Sequence, residues 1–273
     1  MNLMTVGCNF VVSSKAKKDD MESTNKIALI TGGSRGLGKN TAKHIAAKGI
    51  DVIITYRSKK EEADAVVAEI EQGGQKAAAL QLDTANTKSF DSFFESLKTL
   101  LNDKWGKTQF NFLVNNAGID RAAPFAQTTE ENFDELFNVH FKGVFFLTQK
   151  ALPYIADGGR IINLSTGLAR FSTPGYIAYA SMKGAIEVFT RYLAKELGSR
   201  GITANAVAPG IIRTDFTKEA LSHPGSEEFL NKNIALGRVG EPDDIGGVIA
   251  FLCTDEARWI TAQRIEASGG MFL

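Results

Sequence analysis

Along this chain, short apolar runs typical of strands alternate with hydrophobic residues at helical spacing. Residues 27–30, Ile-Ala-Leu-Ile, form a short apolar run before a glycine cluster, which is typical of a buried strand. Leu37, Thr41 and Ile45 then recur at helical spacing, and Gly49 supplies a stop signal. Predicted strands cover 26–31, 51–56, 76–82, 110–114, 160–164, 202–207 and 263–267; predicted helices cover about 36–48, 59–72, 87–104, 130–155 and 177–197, and another begins near 243.

Strands that alternate with helices predict a parallel sheet covered on both faces. Right-handed crossovers make this an α/β fold with a doubly wound, Rossmann-like sheet in three α/β/α layers. No Pro-, Gly- or Ser-rich linker divides the chain, so we expect a single domain over 25–273. Residues 1–24 are expected to be a mobile N-terminal arm or an over-long start. The polar segment of about 211–238 is expected to be a substrate lid.

Composition and charge argue against several classes of function. The 31 basic and 31 acidic residues cancel, so charge gives no reason to expect nucleic acid or an anionic membrane as a partner. No apolar run is long enough to cross a bilayer. Cys8 and Cys253 are far apart, and neither they nor the three histidines have metal-ligand spacing. We therefore expect no metal, and free thiols in a reducing, cytoplasmic setting.

The first predicted strand runs into a glycine loop, Thr31-Gly-Gly-Ser-Arg-Gly-Leu-Gly38. Glycine lets backbone N–H groups come close to an anion, and the helix that follows offers its positive end to a pyrophosphate. The spacing is Gly-x3-Gly-x-Gly, and no Gly-Lys-Ser/Thr follows, which argues against a nucleoside triphosphate loop.

The end of the second strand indicates which dinucleotide binds. An NAD site places an Asp or Glu there for the ribose 2′-hydroxyl, whereas this strand ends Thr-Tyr-Arg-Ser-Lys over 55–59. Arg57, together with Arg35 in the glycine loop, suits a 2′-phosphate. The sequence therefore favours NADP(H) over NAD(H).

Several motifs occur in one order: the glycine loop, Asn115-Asn-Ala-Gly118, Asn138, Tyr179-x3-Lys183, and Pro209-Gly210 followed by Thr214. In this order the chain resembles the short-chain dehydrogenase/reductase family, in its main single-domain group, over about 26–270. It is similar to 3-oxoacyl-[acyl-carrier-protein] reductase-like oxidoreductases.

The resemblance implies an NADP(H)-dependent oxidoreductase that moves a hydride between nicotinamide and a ketone or secondary alcohol. Tyr179 would exchange a proton with the substrate oxygen. Lys183 lies one helical turn further on, where its charge would lower the pKa of Tyr179 and its amine would hold the nicotinamide ribose. Asn138 would anchor a water linked to Lys183. Tyr176 has no lysine four residues on and is expected to line the substrate pocket or pack at the helix start.

The family's substrate-binding serine falls thirteen residues before the tyrosine, at Thr166 in this chain. A threonine hydroxyl can polarise a carbonyl in the same way. We favour Thr166, with Ser165 as an alternative.

The resemblance also implies a set of contacts to the cofactor. Asp83 would contact the adenine amino group, although it also suits a helix cap. The residues expected to bind the cofactor are Gly32, Ser34, Arg35, Gly36, Leu37, Gly38, Tyr56, Arg57, Ser58, Asp83, Asn115, Ala117, Gly118, Tyr179, Lys183, Pro209, Gly210, Ile212 and Thr214.

Three functions stay open. The first is reduction of a small-molecule ketone, or oxidation of the alcohol. The second is reduction of 3-oxoacyl groups on acyl carrier protein, which needs a basic patch that Arg170, Arg191, Lys195 and Arg200 would supply. The third is a non-catalytic NADP-binding sensor. We expect a homotetramer or homodimer, with contacts through the helices at 142–155 and 177–197.

Overall fold

The computed structural model describes residues 25–273, so the predicted N-terminal arm lies outside the described residues. Within this range, strands and helices alternate as the hydrophobic pattern predicts. The strands are β1 Ile27–Ile30, β2 Asp51–Tyr56, β3 Ala77–Gln81, β4 Phe110–Asn115, β5 Ile155–Leu164, β6 Thr203–Pro209 and β7 Arg264–Ala267. The helices are α1 Gly36–Ala46, α2 Lys60–Gln72, α3 Phe90–Trp105, α4 Glu130–Phe137, α5 Gly143–Ala151, α6 Ile177–Leu197, α7 Lys218–Ser222, α8 Ser226–Lys232 and α9 Asp243–Leu252.

The seven strands form one parallel sheet in the order β3-β2-β1-β4-β5-β6-β7. The strand order reverses between β1 and β4, which is where a doubly wound sheet opens a crevice at its carboxyl edge. The predicted Rossmann-like fold is therefore confirmed. The segments that carry the motifs follow β1, β4, β5 and β6 and meet at this edge.

Two hydrophobic clusters cover the two faces of the sheet. Ala28 and Ile30 of β1 join α1, α2 and α9 on one face, while Ile27 and Leu29 join α3, α5 and α6 on the other. Successive strand side chains point to opposite faces, so one apolar strand serves both clusters. This packing holds the carboxyl edge of the sheet rigidly in place.

The fifth strand is longer than its sequence predicts. It begins at Ile155, five residues before the predicted start at 160, and its pairing with β4 shifts register between Phe110 and Phe112. Asp157-Gly158-Gly159 is a turn-like sequence, but here it forms an irregularity inside a strand. Gly158 has a φ of 74°, a backbone conformation that favours glycine.

The helices predicted over 130–155 correspond to α4 and α5, with further helical turns between and after them. Residues Asn138–Lys142 form a π-helix between α4 and α5, and a 3₁₀ turn, Leu152–Tyr154, ends the run. A π turn contains one residue more than an α turn, and such turns are frequent at functional sites.

The predicted lid over 211–238 contains the two short helices α7 and α8. Arg213 anchors the segment through ion pairs with Glu227 at 2.6 Å and Glu241 at 3.2 Å. Arg238 pairs with Asp244 at the start of α9 at 2.7 Å. The segment therefore lies tied to the body of the domain at both of its ends.

Within 25–273, no helix combines the length and apolar character that crossing a membrane requires. Over the same residues, no three His, Cys, Asp or Glu side chains come together as a metal site.

Candidate active site

The glycine loop is held against the end of β4 by the side chain of Thr31. Its Oγ1 accepts hydrogen bonds from the backbone N–H groups of Asn116 at 2.9 Å and Ala117 at 3.0 Å. Gly32 and Gly36 have φ values of 66° and 53°, which only glycine adopts without strain. The loop therefore follows a fixed path from β1 into α1.

Asn116, which sequence reasoning placed on the floor of the site but not among the cofactor contacts, holds the glycine loop. Its Nδ2 donates to the carbonyl oxygens of Thr31 at 2.8 Å and Gly32 at 3.1 Å. A Cβ on Gly38 would overlap the Gly32 carbonyl and crowd Asn116, so glycine is required at this position. The asparagine pair at 115–116 was the available signal, but the sequence does not reveal which member reaches the loop.

The start of α1 fits a pyrophosphate. Arg35 occupies the N-cap position and makes no side-chain cap hydrogen bond, so the N–H groups of the first turn have no cap. These groups and the helix dipole form an anion site. Ser34 is half-buried in the loop, while Leu37 packs against the hydrophobic cluster on the α1 face.

The predicted 2′-phosphate residues lie at the open side of this loop. Arg35 forms a loose ion pair with Asp215 at 3.5 Å, and Arg57 and Ser58 are exposed. Arg57 and Asp83 line the same cleft, which has a volume of about 390 Å³. The Asp83 carboxylate accepts from the N–H of Ala85 at 3.0 Å, so it orders its own turn as well as facing the cleft. Tyr56 packs in part against the core.

Tyr179 and Lys183 lie one turn apart on α6, and both are buried. The Lys183 Nζ is 5.8 Å from the centroid of the Tyr179 ring and donates a hydrogen bond to the Leu164 carbonyl at 2.6 Å. This bond fixes the ammonium at the end of β5 and leaves two of its three N–H groups for other partners.

Burial dominates the electrostatics of this pair. Burial raises the pKa of Tyr179 above its ordinary range, and hydrogen bonding with Thr166 opposes the rise only in part. Burial also lowers the pKa of Lys183 to about 7. The lowering of the Tyr179 pKa that was predicted from Lys183 together with the oxidised nicotinamide stays a prediction. In the protein itself the desolvation of the phenolate is the largest effect, so the Tyr179 hydroxyl is protonated at neutral pH.

The two hydroxyls that sequence left open have different surroundings. The Ser165 hydroxyl donates to Glu187 at 2.6 Å. The Thr166 hydroxyl accepts from the Leu168 N–H at 3.3 Å and lies near enough to the Tyr179 hydroxyl to lower the pKa of that phenol. Of the two hydroxyls, Thr166 therefore lies beside the candidate proton donor.

A chain of ion pairs extends from Ser165 to the last residues of the structure. Arg264 bonds to Glu187 at 2.7 Å, to Glu266 at 2.7 Å and to the carbonyl of Thr166 at 3.1 Å. Arg170 in turn binds Glu266 with two nitrogens, at 2.8 and 2.7 Å. This network fixes the backbone that carries the Thr166 hydroxyl.

Asn138 and His140 belong to the π-helix that joins α4 to α5. Among the hydrogen bonds of residues 25–273, the Asn138 side chain has none, and its proposed link to Lys183 stays a prediction. His140 is buried with its ring centroid 5.0 Å from that of Tyr179, edge to face. Helical spacing alone suggested that His140 only packs in this region.

Asn115 forms part of a buried polar chain. Its Nδ2 donates to Thr148 at 3.0 Å and to Asn163 at 2.8 Å, and Asn163 donates to Thr190 at 2.9 Å. The chain ties β4 and β5 to α5 and α6 directly beneath the site. Its contact with a cofactor stays a prediction.

The segment after β6 lies alongside the glycine loop. A Cβ on Gly36 would meet the side chain of Thr214 at 3.9 Å. Pro209 ends β6, Gly210 passes so close to Ser268 that a side chain would not fit, and Ile212 is buried. The segment thereby closes one side of the space in front of Tyr179.

The mouth of the site carries negative charge. The carboxylate of Asp120 is half-buried, which raises its pKa, and the neighbouring Glu219 raises it further. Burial raises the pKa of Tyr176, with Asp120 and Glu219 adding to the shift. Tyr176 therefore lies at the rim of the site and at the start of α6. The start of this helix is one of the two positions predicted for it.

Two of the four basic residues considered as a carrier-protein patch, Arg170 and Arg200, are bound within the domain. Arg170 is engaged by Glu266. Arg200 pairs with Asp157 and with carbonyls of residues 152 and 155, at the opposite edge of the sheet from Thr166.

Comparisons with known proteins agree with this geometry. Residues 32–272 match the family model described as Enoyl-(Acyl carrier protein) reductase. The chain is 40% identical over 250 residues to the 3-oxoacyl-[acyl-carrier-protein] reductase of Staphylococcus aureus, covering 91% of this chain and 98% of the relative.

Two solved structures are similar over almost the whole fold. The promiscuous reductase LugOII, which catalyses keto-reduction at C1 during lugdunomycin biosynthesis, has a TM-score of 0.86 and 39% identity, covering 91% of this chain and 98% of its own. The angucycline C-6 ketoreductase LanV with bound NADP has a TM-score of 0.86 and 38% identity, covering 90% and 95%. With its parallel sheet, glycine loop and buried Tyr179–Lys183 pair, the chain is an oxidoreductase of the short-chain dehydrogenase/reductase family.

Proposed function

We propose that this protein reduces a ketone to a secondary alcohol with NADPH, using Tyr179 as the proton donor. The observation that carries the proposal is the buried pair of Tyr179 and Lys183 with the Thr166 hydroxyl beside it. When bound, the reduced nicotinamide supplies the hydride. Side chains of the protein polarise the carbonyl, donate the proton and stabilise the phenolate that remains.

The hydroxyls of Thr166 and Tyr179 act on the substrate oxygen in different ways. Thr166 Oγ1 donates a hydrogen bond to the carbonyl oxygen, which polarises the carbonyl and stabilises negative charge as it develops there. Tyr179 then transfers its proton to that oxygen. Because burial raises the pKa of Tyr179, the phenol is protonated before the reaction, which is the state that reduction requires.

Lys183 restores the charge balance after proton transfer. Its ammonium, held by Leu164, lies close enough to stabilise the phenolate that remains on Tyr179. Its remaining N–H groups suit ribose hydroxyls. Its pKa of about 7 means that the amine both gains and loses protons readily at neutral pH.

NADP(H) as the cofactor is supported by the shape and charge of the binding region. The uncapped start of α1 suits the pyrophosphate, and Arg35 and Arg57 lie on the side where a 2′-phosphate would project. The similar ketoreductase LanV binds NADP. Asp83, Ala117, Gly118, Pro209, Gly210, Ile212 and Thr214 complete the proposed binding set.

A neutral substrate suits this site better than an anionic one. Asp120 lies near enough to Tyr179 to raise its pKa, and Glu219 adds a second carboxylate at the rim. Negative charge on a substrate would be repelled there. We therefore propose a small or medium-sized uncharged ketone.

Reduction of 3-oxoacyl groups on acyl carrier protein is the second candidate, since the S. aureus relative carries that name. The carrier is acidic, so this function needs a basic rim. The engagement of Arg170 and Arg200 with carboxylates weighs against it.

One panel separates these functions. Oxidation of NADPH and of NADH would be followed with uncharged ketones and with an acetoacetyl thioester, free and on acyl carrier protein. We expect NADPH turnover with the ketones. Preference for the carrier-bound thioester would establish the second function, and tight NADPH binding without turnover of any carbonyl would indicate a sensor.

We also propose that the protein is a homotetramer or homodimer in the cytoplasm. Phe145 and Phe146 on α5 and Tyr192 on α6 are 36%, 40% and 65% exposed, an apolar face that a second copy would cover. Light scattering after size-exclusion chromatography would test the assembly.

A further inference from the structure

We propose that Glu187 and Arg264 are positioning residues of the active site that clamp Thr166 to α6. The clamp sets the distance between the Thr166 hydroxyl and the Tyr179 hydroxyl. These are the two groups that act on the substrate oxygen in the proposed function, on which this inference rests. Neither Glu187 nor Arg264 was predicted from the sequence to act at the site.

The first argument is that Thr166 lies beyond the hydrogen-bonded part of β5. The strand ends at Leu164, and the Ser165 N–H donates to the Val207 carbonyl of β6 at 2.7 Å. Thr166 follows as the N-cap residue of the 3₁₀ turn Gly167–Ala169. Its carbonyl accepts a long hydrogen bond, 3.3 Å, from the last N–H of that turn. A bond from another element would hold this residue more firmly than its own turn does.

Arg264 supplies such a bond from the edge strand β7. Its Nη2 donates to the Thr166 carbonyl at 3.1 Å. Arg264 pairs in register with Ala206 of β6, which pairs in turn with Asn163 of β5. Its Cα therefore lies two strand spacings, roughly 10 Å, from that of Asn163. A long side chain with several donors can span that distance and still bond to other groups.

The second argument is that the same guanidinium is bound to α6. Arg264 Nε donates to Glu187 at 2.7 Å, and the Ser165 hydroxyl donates to the same carboxylate oxygen at 2.6 Å. Glu187 lies two turns beyond Tyr179 and one turn beyond Lys183, so the three residues share one face of the helix. The helix that carries the proton donor is thereby joined to the backbone at the end of β5.

A third contact fastens the same stretch of backbone one turn earlier on the helix. Lys183 Nζ donates to the Leu164 carbonyl at 2.6 Å. With the two contacts to Glu187, each of residues 164–166 is bound to α6, either directly or through Arg264. Two of these contacts do not involve Arg264, so its loss should displace Thr166 without unfolding the site.

The ion pair is sheltered enough to hold its geometry. The side chains of Arg264 and Glu187 are 23% and 15% exposed. Glu266 accepts from Arg264 Nη1 at 2.7 Å, so carboxylates hold the guanidinium on two sides and all three of its nitrogens donate. A planar guanidinium bound in this way leaves the Thr166 carbonyl only by breaking charge-assisted hydrogen bonds.

The alternative is that this ion pair only stabilises the fold. Arg264→Met and Glu187→Leu break the clamp from its two sides, and Glu187→Gln keeps an acceptor oxygen. Lys104→Met is the matched control, since Lys104 on α3 also binds a carboxylate, that of Glu71 at 2.6 Å, and a carbonyl, that of Ala77 at 2.5 Å. Each variant would be assayed for reduction of an uncharged ketone, for NADPH binding and for unfolding by urea.

We expect kcat to fall about 10–100-fold in Arg264→Met and in Glu187→Leu, because a displacement of about 1 Å misplaces the hydroxyl. The KM for the ketone and the affinity for NADPH should stay within about threefold. Glu187→Gln should keep most of kcat, and Lys104→Met should keep all of it. A kcat within twofold of the parent in either Arg264→Met or Glu187→Leu would overturn the proposal.

A double-mutant cycle separates positioning from a general loss of structure. In the Thr166→Val background the hydroxyl is already gone, so adding Arg264→Met should lower kcat by less than about twofold. A structural role alone would give the same fold loss in both backgrounds. Losses that multiply in full would therefore refute the clamp.

Crystal structures keep this inference separate from the proposed function. Between the parent and Arg264→Met, we expect the distance from Thr166 Oγ1 to the Tyr179 hydroxyl oxygen to change by about 1 Å. An unchanged distance would contradict the clamp, and Glu187→Leu gives the same comparison should Arg264→Met fail to fold. If the parent reduces no ketone, the proposed function fails, and this distance still decides whether the ion pair positions Thr166.

Discussion

The Ser165 hydroxyl donates to Glu187 at 2.6 Å, whereas the hydroxyl of its neighbour Thr166 acts on Tyr179 and lowers the pKa of that phenol. Consecutive residues in an extended segment point to opposite sides, so one hydroxyl serves the structure and the other serves the site. These different surroundings support the proposal that Thr166, at the family position of the serine, supplies the functional hydroxyl.

Replacing Thr166 by Val keeps the shape of the side chain and removes its hydroxyl. We expect kcat/KM for ketone reduction to fall about 100-fold or more, because the donor to the developing oxyanion is lost. Ser165→Ala should stay within about threefold, since Arg264 still pairs with Glu187. Steady-state kinetics of both variants would test this prediction. A larger loss of kcat/KM in Ser165→Ala than in Thr166→Val would reverse the assignment.

Burying Lys183 in the site lowers the free energy of unfolding of the protein. Its pKa is about 7 when folded and 10.5 in the unfolded chain, so between these values the unfolded chain binds a proton that the folded chain does not. Raising the pH through this window therefore favours the folded state. From pH 7 to 9.5, we expect the parent to gain roughly 3 kcal/mol of unfolding free energy from this group.

Lys183→Met removes that titration and tests the assignment. We expect the variant to be inactive yet more stable than the parent near pH 7, with the difference shrinking as pH rises. Urea unfolding at several pH values measures this. A constant difference between the two proteins would mean that Lys183 keeps an ordinary pKa in the fold.

Charge at the 2′-phosphate position should determine the choice of cofactor. Each charge-assisted hydrogen bond is worth about 1.5–3 kcal/mol, so Arg35→Ala with Arg57→Ala should raise the KM for NADPH at least tenfold. The KM for NADH should barely change. Lys48→Ala removes a charge at the exposed far end of α1 as a control. An unchanged NADPH preference in the double variant would contradict the assigned role of these arginines.

A methyl group on Gly38 should disable the phosphate loop. Its Cβ would overlap the Gly32 carbonyl and press on Asn116, so the loop must move. We expect Gly38→Ala to weaken NADPH binding by more than 100-fold, because a 1 Å displacement misplaces the N–H groups. Gly198→Ala has open space around its Cβ and should bind normally, as fluorescence titration would show.

Much of this architecture could be predicted from the sequence, because the hydrophobic periods of strands and helices are local. The strand-loop-helix context of 27–46 and the one-turn spacing of Tyr179 and Lys183 are of this kind. The start of β5 at Ile155 was missed, since Asp157-Gly158-Gly159 has the composition of a turn, and the pairing of Ile155 with Phe110 of β4 ahead of it depends on tertiary structure.

The features that sequence left unresolved depend on tertiary neighbours. Burial, which fixes the pKa of Tyr179 and of Lys183, is a property of the packed domain. The choice of Asn116 over Asn115 as the contact to the glycine loop depends on the direction in which β4 ends. His140 was predicted only to pack near Asn138, because a 3.6-residue period does not anticipate a π turn.

The π-helix over 138–142 also has a consequence for how this site can change over evolutionary time. One residue of an α-helix corresponds to a rotation of about 100°, so deleting a single codon here would return the segment to an α-helix. Either His140 would turn from Tyr179, or α5 would turn its core face, including Leu147, from the sheet. The extra residue of the π turn therefore keeps the helix aligned with both the core and the site.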